Sequence, residues 1–588
     1  MKIDFSRDSL FDELGVKRLK ESYMREDEES PQERFAYVSK AFGSNAEHSQ
    51  RLYEYSSKHW LSYSTPILSF GRSKRGLPIS CFLPYLDDSA EGLVDTLSEV
   101  NWLSMLGGGV GIGIGIRSAD DKSVGVMPHL RTYDASSLAY RQGRTRRGSY
   151  AAYLDISHPD ILLFLEMRKP TGDPNMRAMN LHHGINISDE FMQVIEKCML
   201  DSKADDSWHL RDPHNGDIRE TVSARELWQR ILENRMMTGE PYLHFIDTSN
   251  RAMPEFQKKL GLSIRQSNLC SEIILPTDKE RTAVCCLSSV NLEYFDEWKN
   301  NKQFLRDVAE MLDNVLQYFI DNAPTTIPRA IYSARSERSI GIGALGFHAY
   351  LQKNNIPWES ALATSANHKM FSHMKKGLDN ANIDLGKERG EAPDAVGTGR
   401  RFSHVMAIAP NASSSIIMGN TSPSVEPYRA NAYRQDTLSG AFLNKNKYLD
   451  KIIKEKCSEE DYNDIWSSII AHDGSVQHLD FLDEWTKDVF KTSMEIDQRW
   501  IVQHAADRQQ YIDQAQSINL FFRPDANIKY LHAIHFMAWK MGLKTLYYCR
   551  SEKIGKADKI AKRIERDVIK ELDMKAIVEG DTCLACEG

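Results

Sequence analysis

The sequence predicts a protein of the α/β class, and two observations lead to this prediction. Short apolar segments that are typical of strands alternate with segments of helical spacing as far as about residue 350. The 588 residues are 41% hydrophobic and 27% charged, which are ordinary proportions for a globular protein. We therefore expect either several domains or one large α/β unit.

The charge and hydropathy of the chain exclude several classes of protein. The net charge is −8, and no basic domain stands out, so nucleic acid is not the expected partner. The residues before 30 contain no apolar signal core. The longest apolar run, residues 107–116, is rich in glycine and far too short to span a membrane. We expect an intracellular, cytoplasmic protein with no membrane partner.

The first elements follow from spacing and from turn residues. Residues 1–60 are polar with helical spacing, and residues 75–86 form an apolar, strand-like segment. Residues 91–107 have apolar positions at helical intervals and end in glycines. The sequence "GVGIGIGI" at 109–116 predicts a strand that lets another segment approach its backbone closely. Residues 141–149 predict a basic, flexible loop.

The second half of the chain is mainly helical. Residues 351–400 are polar with mostly helical spacing, and helices are expected to dominate residues 430–540. Residues 404–427 predict a strand followed by a long turn rich in hydroxyl groups. Residues 543–551 predict another apolar strand.

The stretch "NLCSEI", residues 268–273, contains an unusual set of side chains. If it is a strand, Asn268, Cys270 and Glu272 share one face, because side chains alternate along a strand. An amide, a thiol and a carboxylate on one face place a proton acceptor close to a thiol. This arrangement indicates chemistry rather than packing.

The cysteines favour redox chemistry over structural disulfides. There are nine, an odd number, in a large chain with intracellular character: Cys81, Cys198, Cys270, Cys285, Cys286, Cys457, Cys549, Cys583 and Cys586. The last two form a CxxC near the C-terminus, which predicts a mobile dithiol that exchanges with another disulfide. Half a zinc site or a chance pair are the alternatives, although no second ligand pair accompanies it.

Three further signals are ambiguous when each is read alone. Cys81 and Cys285 lie on apolar segments and could be buried structural cysteines, with Cys286 facing the other way. "GIGALG" at 341–346 fits a dinucleotide fingerprint, but the preceding residues and the missing acid argue against it. "TLYY" at 545–548 is usually packing when it occurs in a strand.

Together these motifs resemble the large, catalytic subunit of class I ribonucleotide reductase. The family's motifs occur in the family's order, and they are "SC" (80–81), "NLCSEI" (268–273), "CCLSSVNL" (285–292), "TLYY" (545–548) and the terminal cysteine pair. The resemblance runs from residue 65 to the C-terminus. It implies a ten-stranded α/β barrel of two five-stranded halves, with an N-terminal helical region and a flexible C-terminal tail.

The resemblance implies a role for each residue of the catalytic set. Cys270 would be the thiyl radical that abstracts the 3′ hydrogen of the ribose. Glu272 would take the proton of the 3′-OH, and Asn268 would hold the sugar hydroxyls. Cys81 and Cys285 would be the reducing pair that ends each turnover as a disulfide.

The resemblance also implies partners. Cys583 and Cys586 would re-reduce the pair and be recharged by thioredoxin or glutaredoxin. Tyr547 and Tyr548 would pass the radical from a separate small subunit, which carries the dinuclear metal. The chain itself is expected to hold no metal and no cofactor. Cys549 matches no role in the family.

Substrate and effector positions carry over in the same way. The ribonucleoside diphosphate would contact Thr65 and Ser80, and its phosphates would lie at the turn Ala412, Ser413, Ser414 and Ser415. A deoxynucleotide or ATP effector would lie near Asp88 and Arg117. Arg146 belongs to the loop that would link effector to substrate.

The length of the N-terminal region predicts a short form of the family. Only 80 residues precede Cys81, and a helical region needs most of them. We therefore expect no N-terminal ATP cone and no dATP switch in it, as suits a virus or phage. The expected domains are 1–64, helical; 65–570, barrel; and 571–588, redox tail. Residues 91–107 are a candidate dimer helix or a plain core helix.

Three other functions remain open at this point. An adenosylcobalamin-dependent class II reductase would share the thiol chemistry, but it would not need the tyrosine pair. An inactive homologue could bind nucleotides without reducing them, although it would not need five cysteines at catalytic positions. A zinc-binding structural protein is the most distant alternative.

Overall fold

The computed structural model describes residues 1–73, 76–141, 148–437 and 440–551. The strands in these ranges are β1 Leu61–Tyr63, β2 Cys81–Leu83, β3 Tyr85–Leu86, β4 Gly109–Ile114, β5 Tyr150–Asp155, β6 His182–Ile187, β7 Ser207–Arg211, β8 Ile218–Ser223, β9 Tyr242–Phe245, β10 Ala283–Asn291, β11 Ile340–Leu345, β12 Ala432–Thr437, β13 Gly440–Lys445, β14 Leu520–Phe522, β15 Thr545–Leu546 and β16 Cys549–Ser551.

Helices surround the strands. The α-helices are α1 Glu13–Ser22, α2 Pro31–Phe42, α3 Ala46–Ser57, α4 Thr65–Leu68, α5 Ala90–Met105, α6 Val126–Ala139, α7 Ile161–Glu166, α8 Asp189–Leu200, α9 Ala224–Thr238, α10 Ile246–Ala252, α11 Glu255–Lys259, α12 Phe295–Trp298, α13 Phe304–Asn322, α14 Pro328–Glu337, α15 Phe347–Lys353, α16 Ala361–Arg389, α17 Ala412–Ile417, α18 Lys447–Lys456, α19 Tyr462–Ala471, α20 Glu484–Val489, α21 Gln498–Gln509 and α22 Ile528–Lys540. Within the four described ranges, none of the helices combines the length and the apolar character that crossing a membrane requires.

One half of the main sheet is a run of five parallel strands. β2, β4, β5, β6 and β9 pair side by side in that order, and nearly all of their residues are buried. Burial on both faces is expected of a parallel sheet that helices cover. The pairing confirms the α/β class, and the glycine-rich segment forms β4 as predicted.

The other half of the sheet is less regular. β10 pairs antiparallel with β2 and parallel with β11, and β15 pairs antiparallel with β9. Between them, single parallel bridges join Ile342 to Met406 and Ile408 to Gln516. The sheet is therefore curled, with both edges of the first half covered by the second. Because two segments of the second half are bridged at single residues, the count of ten barrel strands is not confirmed and stays a prediction.

The two faces of the curled sheet contact different apolar cores. We call the smaller one the inner cluster, and it consists of Cys81, Leu83, Ala151, Tyr153, Tyr242, Leu269, Cys270, Ile273, Leu275, Ala283, Cys285, Leu287, Ala407, Ala409, Tyr547 and Tyr548. Cys286 belongs instead to the large core between sheet and helices. Neighbouring residues of β10 thus face opposite sides, as the alternation of a strand requires.

Three segments differ in detail from the sequence prediction. In the N-terminal region predicted to be helical, helix α3 ends at Ser57. Residues 61–63 form β1 because they pair with β10. Residues 75–86 divide into β2 and β3 around Pro84, which has no N–H to donate. Residues 543–551 divide into β15 and β16, which pair with β9 and β14 respectively.

The glycines of β4 allow a close approach, as the sequence predicted. A Cβ atom at Gly111 would lie 2.6 Å from the carbonyl oxygen of Ser267 and 2.7 Å from Cα of Asn268. Both contacts are to backbone, which cannot rotate away. The segment that approaches β4 is therefore the one that leads into "NLCSEI".

We expect Gly111→Ala to disrupt the site more than the fold. The added methyl group must displace Asn268, and overpacking of this kind costs about 1–3 kcal/mol of unfolding free energy. Reductase activity should fall at least about tenfold, because a small displacement of reacting groups has a large kinetic effect. Urea unfolding and a turnover assay measure both quantities.

Gly76→Ala is the matched control for this substitution. A Cβ there meets nothing closer than Cβ of Ser73 at 3.9 Å, which is ordinary contact. Equal losses of activity in the two variants would contradict the close-approach interpretation.

Candidate active site

Residues 268–273 form a turn, so the prediction of a strand was wrong. Ser271 has a φ of +67°, and its N–H donates to the carbonyl oxygen of Asn268 at 3.3 Å. The Asn268 side chain supports the turn by accepting the N–H of Ile273 at 3.1 Å. Tyr153 also donates to the Asn268 carbonyl at 2.6 Å. Local side-chain hydrogen bonds therefore outweigh the alternating pattern here.

The turn nevertheless brings the predicted amide and carboxylate to one place. Asn268 Nδ2 lies 3.4 Å from Sγ of Cys81, and that sulfur lies 3.7 Å from Oε1 of Glu272. All three residues are buried. A thiol proton and a carboxylate acceptor are thus adjacent, away from solvent.

Cys81 and Cys285 are directly opposite each other on neighbouring strands. They are register partners in the antiparallel pair of β2 and β10. Directly opposite residues have Cβ atoms about 4.5–5.5 Å apart, close to the spacing of a disulfide. Both are free cysteines in this structure. Cys286 faces away and contacts the carbonyl oxygen of Leu312 through its sulfur at 3.4 Å.

The tyrosine pair reaches the predicted radical cysteine. The hydroxyl of Tyr547 donates to Sγ of Cys270 at 3.5 Å. The rings of Tyr547 and Tyr548 have centroids 4.3 Å apart. The backbone turns between β15 and β16 so that both rings face the inner cluster, and the N–H of Tyr547 donates to Ile518 at 2.8 Å. A continuous path thus leads from Tyr548 to Cys270.

Burial determines the protonation state of the two tyrosines. Burial raises the pKa of Tyr547 well above its ordinary value, because the charged phenolate is poorly solvated there. Burial likewise raises the pKa of Tyr548. Both hydroxyls are therefore protonated at neutral pH.

The sequence analysis missed a third tyrosine and a charged group beside the pair. The Tyr242 ring lies 4.7 Å from that of Tyr547 and 5.1 Å from that of Tyr548. The Arg550 guanidinium lies over the Tyr548 ring at 4.0 Å. The hydroxyl of Tyr548 lies 3.5 Å from Nδ1 of His182. These residues occur far apart in the sequence, and no local pattern connects them.

The sequence analysis also missed Ser517. Its hydroxyl donates to the carbonyl oxygen of Cys270 and lies 3.1 Å from Oε2 of Glu272. It therefore holds the thiol and the carboxylate in one geometry. The available signal was the run "DQAQS" at 513–517, which places polar side chains in a segment that is otherwise apolar and buried.

The predicted phosphate turn is the start of a helix. Ala412 to Ser415 form the first turn of α17, and Asn411 anchors it by donating to Ser289 at 3.0 Å and to the Ala344 carbonyl at 3.2 Å. Asn411 can make these contacts because the ends of β10 and β11 lie side by side. The backbone then enters a helix rather than an open turn.

The other two predicted substrate residues, Thr65 and Ser80, are buried. Thr65 begins α4, with its hydroxyl 3.3 Å from that of Tyr23, and Ser80 lies 3.6 Å from the Cys81 sulfur. Arg18 was missed, and its guanidinium donates to the Ser413 hydroxyl at 3.3 Å. The N-terminal helices thus supply a cation at the start of α17.

Two of the three predicted effector residues contact each other. Arg117 Nη1 lies 2.8 Å from Oδ2 of Asp88, and its Nε lies 2.8 Å from Asp120. Arg146 lies outside the described residues, as do Cys583 and Cys586. Cys549 is buried beside Met236, with the two sulfurs 3.8 Å apart, and its N–H donates to Gly239. It is a packing residue.

One group of possible metal ligands occurs in the described ranges, and protein contacts already satisfy it. It consists of His48, Asp307 and Glu310. Asp307 accepts hydrogen bonds from Arg51 at 2.7 and 2.9 Å and from Tyr55 at 2.8 Å. The group therefore connects α3 to α13 as an ion-pair network.

Comparisons with known proteins agree with this geometry. The family model "Ribonucleotide reductase, all-alpha domain" matches residues 9–76, and "Ribonucleotide reductase, barrel domain" matches residues 79–395 and 393–549. The ribonucleoside-diphosphate reductase large subunit of Invertebrate iridescent virus 3 is 57% identical, over 95% of this chain and 96% of that relative. That of Invertebrate iridescent virus 6 is 40% identical, over 95% and 94%.

A solved structure has the same architecture. It is the alpha subunit of the class Id ribonucleotide reductase of Actinobacillus ureae, with a TM-score of 0.82 and 34% identity, covering 94% of this chain and 98% of that chain. The two domains of the family thus match in order along most of the chain, and the inner cluster contains the thiols and tyrosines of its motifs. The chain belongs to the ribonucleotide reductase family.

Proposed function

We propose that this chain is the catalytic large subunit of a class I ribonucleotide reductase. It reduces ribonucleoside diphosphates to 2′-deoxyribonucleoside diphosphates and so supplies precursors of DNA. The observation that carries the proposal is the contact of 3.5 Å between the Tyr547 hydroxyl and the Cys270 sulfur. A buried tyrosine pair whose last hydroxyl contacts a cysteine sulfur provides the contact that radical transfer to that sulfur requires.

Cys270 starts the reaction at the sugar. Its hydrogen atom passes to the tyrosyl radical of Tyr547, which leaves a thiyl radical on the sulfur. This radical abstracts the 3′ hydrogen of the ribose and returns it at the end of the turnover. Glu272 accepts the 3′-OH proton as general base, and Asn268 donates to the sugar hydroxyls.

Cys81 and Cys285 supply the reducing equivalents. Their two thiols become one disulfide and release two electrons and two protons. The ribose takes up both, so that its 2′ carbon loses the hydroxyl as water and gains a hydrogen. Cys81 protonates the departing hydroxyl. Its contact with Glu272 at 3.7 Å supports this role, because the carboxylic acid formed earlier can return a proton to the sulfur.

The radical comes from a separate small subunit that carries a dinuclear metal. The tyrosine pair supports this proposal over a class II enzyme, in which a cofactor beside the substrate would need no relay. Tyr548 is the residue of the pair that receives the radical first. Arg550 lies over its ring, and the positive charge is attracted to the face of that ring.

The remaining sites follow the same family pattern. The start of α17, with Arg18 close by, supports binding of the substrate phosphates, since backbone N–H groups at a helix start favour anions. The pair of Asp88 and Arg117 supports the effector site. α5 leaves Val94 and Trp102 exposed, which supports a homodimer through this helix.

Thioredoxin or glutaredoxin would reduce the disulfide of the terminal cysteine pair back to a dithiol after each turnover. Such a cycle needs a reducing compartment, so we infer that the protein acts in the cytoplasm, of the host cell if it is viral. The predicted boundary at residue 64 between the helical region and the barrel, and that at residue 570 between the barrel and the redox tail, also remain proposals.

The test is reduction of CDP by the purified chain with dithiothreitol and an effector nucleotide. One arm contains the metal-loaded small subunit from the same source, and the other contains adenosylcobalamin. Turnover only in the first arm supports the class I proposal. Turnover with adenosylcobalamin alone would make the tyrosine pair ordinary packing, and nucleotide binding without turnover in either arm would indicate an inactive homologue.

The two neighbouring cysteines of β10 provide a sharp second prediction. Cys285→Ser should lower multiple-turnover reduction by at least about 10³-fold, or about 4 kcal/mol at 1.36 kcal/mol per decade, because no disulfide can form. Cys286→Ser should lower activity less than about threefold, since its sulfur contacts α13 instead. Steady-state assays with CDP compare them, and equal losses would contradict the assignment of the pair.

A further inference from the structure

A buried glutamine from the segment that carries Ser517 reaches the sulfur of Cys285. Gln514 is fully buried, and its Nε2 lies 3.5 Å from Sγ of Cys285. Its backbone is held at both ends, because its N–H donates to Met406 at 3.1 Å and its carbonyl accepts from Lys544 Nζ at 2.7 Å. These hydrogen bonds fix the position of the backbone from which the Gln514 side chain extends.

The orientation of the Gln514 amide follows from its neighbours. Its Oε1 accepts the backbone N–H of Ile274 at 3.3 Å, and a backbone N–H can only donate. Its Nε2 lies 3.4 Å from the carbonyl oxygen of Ile340, which can only accept. Both contacts place the nitrogen on the side of Ser339, Ile340 and Cys285, where an N–H group reaches the Cys285 sulfur.

The two sulfurs of the reducing pair thus have different partners. Cys81 accepts from the Asn268 amide at 3.4 Å and also lies beside a carboxylate, Glu272, which can exchange a proton with it. Cys285 lies among donors, the Gln514 amide at 3.5 Å and the Ser339 hydroxyl at 3.9 Å. Donors stabilise a sulfur that carries excess electron density, whereas a carboxylate does not.

Burial makes such donors important for Cys285. Burial raises the pKa of its thiol well above the ordinary value, and the nearby Cys286 adds to this effect. The hydrogen bonds from Gln514 and Ser339 act in the opposite direction. Gly341 leaves room beside this sulfur, because a Cβ there would lie 2.3 Å from Cδ2 of Leu287 and 3.2 Å from the sulfur.

We propose that Gln514 is a positioning residue for the reductive step, with its amide N–H donating to the Cys285 sulfur and stabilising the negative charge that this sulfur acquires as its proton leaves during disulfide formation. The step balances as two thiols giving one disulfide, two protons and two electrons, which the ribose of the nucleotide consumes. This inference rests on the proposed function, because it assumes that Cys81 and Cys285 cycle.

The first experiment needs no small subunit and no turnover. The purified chain, wild type or Gln514→Met, is equilibrated in dithiothreitol buffers, and the reduced fraction of the Cys81–Cys285 pair is measured by alkylation and mass spectrometry. Loss of the donor should destabilise the dithiol relative to the disulfide about three- to tenfold, and a tenfold change corresponds to about 30 mV. The S–H stretching band of Cys285, identified against Cys285→Ser, should also shift.

Gln516→Met is the matched control. Gln516 is a buried glutamine of the same segment, but its amide donates to Ala505 and to Gln509, both at 2.9 Å. The Gln516→Met substitution should leave the dithiol–disulfide equilibrium of the pair and the S–H band of Cys285 unchanged. Equal shifts in both variants, or no shift in Gln514→Met, would overturn the proposal.

A second variant guards against a failure to fold. Gln514→Glu keeps the size of the side chain and the acceptor for Ile274, but it places an acceptor at the sulfur. It should lower kcat for CDP at least as much as Gln514→Met, about ten- to a hundredfold, with an unchanged KM.

If wild type shows no turnover while the equilibrium shifts as expected, the proposed function fails and the contact with Cys285 stands. If turnover is normal in both variants, the positioning role fails and the proposed function stands.

Discussion

Cys270→Ser abolishes reduction of CDP, with a loss of at least about 10³-fold relative to wild type, or about 4 kcal/mol at 1.36 kcal/mol per decade. The reason is chemical rather than steric. Serine has nearly the size of cysteine, but its O–H bond is much stronger than an S–H bond, so a tyrosyl radical at Tyr547 cannot remove its hydrogen. The contact of 3.5 Å then leads to a residue that cannot become a radical.

The measurement is formation of dCDP in the presence of the small subunit, together with binding of CDP to the isolated chain. Binding should be unchanged, because Cys270 contributes only its sulfur to the site. Cys198→Ser is the control, since Cys198 is a partly buried residue of α8. Residual turnover of Cys270→Ser above a tenth of wild type would place the radical on another residue.

Tyr547→Phe removes a single oxygen atom and should have an effect of similar size. The ring packing on Tyr242 and Tyr548 remains, so the fold should be stable. The hydrogen atom that Cys270 must give up has no acceptor, because phenylalanine has no hydroxyl and no accessible phenoxyl radical. We expect turnover to fall at least about 10³-fold, with KM for CDP unchanged in any residual activity.

Tyr133→Phe provides the comparison for this variant. Tyr133 is a buried tyrosine on α6 that packs in the large core between the sheet and the helices. Loss of the Tyr133 hydroxyl should change turnover less than about threefold. If Tyr547→Phe retains comparable activity, the radical reaches Cys270 by another route, and the tyrosine pair is packing.

Much of the site could be predicted from the sequence because the reacting groups come from short motifs. Asn268, Cys270 and Glu272 lie within five residues, so any compact local structure keeps them together. The prediction of the strand was wrong, however, although the grouping of the residues was useful. A turn closed by Asn268 brings the side chains together as effectively as alternation along a strand would have done.

The supporting residues could not be predicted in the same way. Ser517 and Gln514 lie more than 200 positions from the cysteines that they contact, as the pairs Ser517–Cys270 and Gln514–Cys285 show. Their contacts depend on single bridges between barrel segments, which carry no periodic signal. Arg18 likewise reaches Ser413 only because α1 packs against α17.

The sequence by itself determined the class of fold, the family resemblance and the identity of the reacting groups, because hydrophobic periodicity and short motifs are local properties of the chain. Only the tertiary structure decided which groups meet. The antiparallel register of β2 and β10 places Cys81 opposite Cys285, and the division between β15 and β16 directs Tyr547 at Cys270. Register and packing are set by backbone hydrogen bonds between distant segments, and a single residue of slip would move every side chain to the other face.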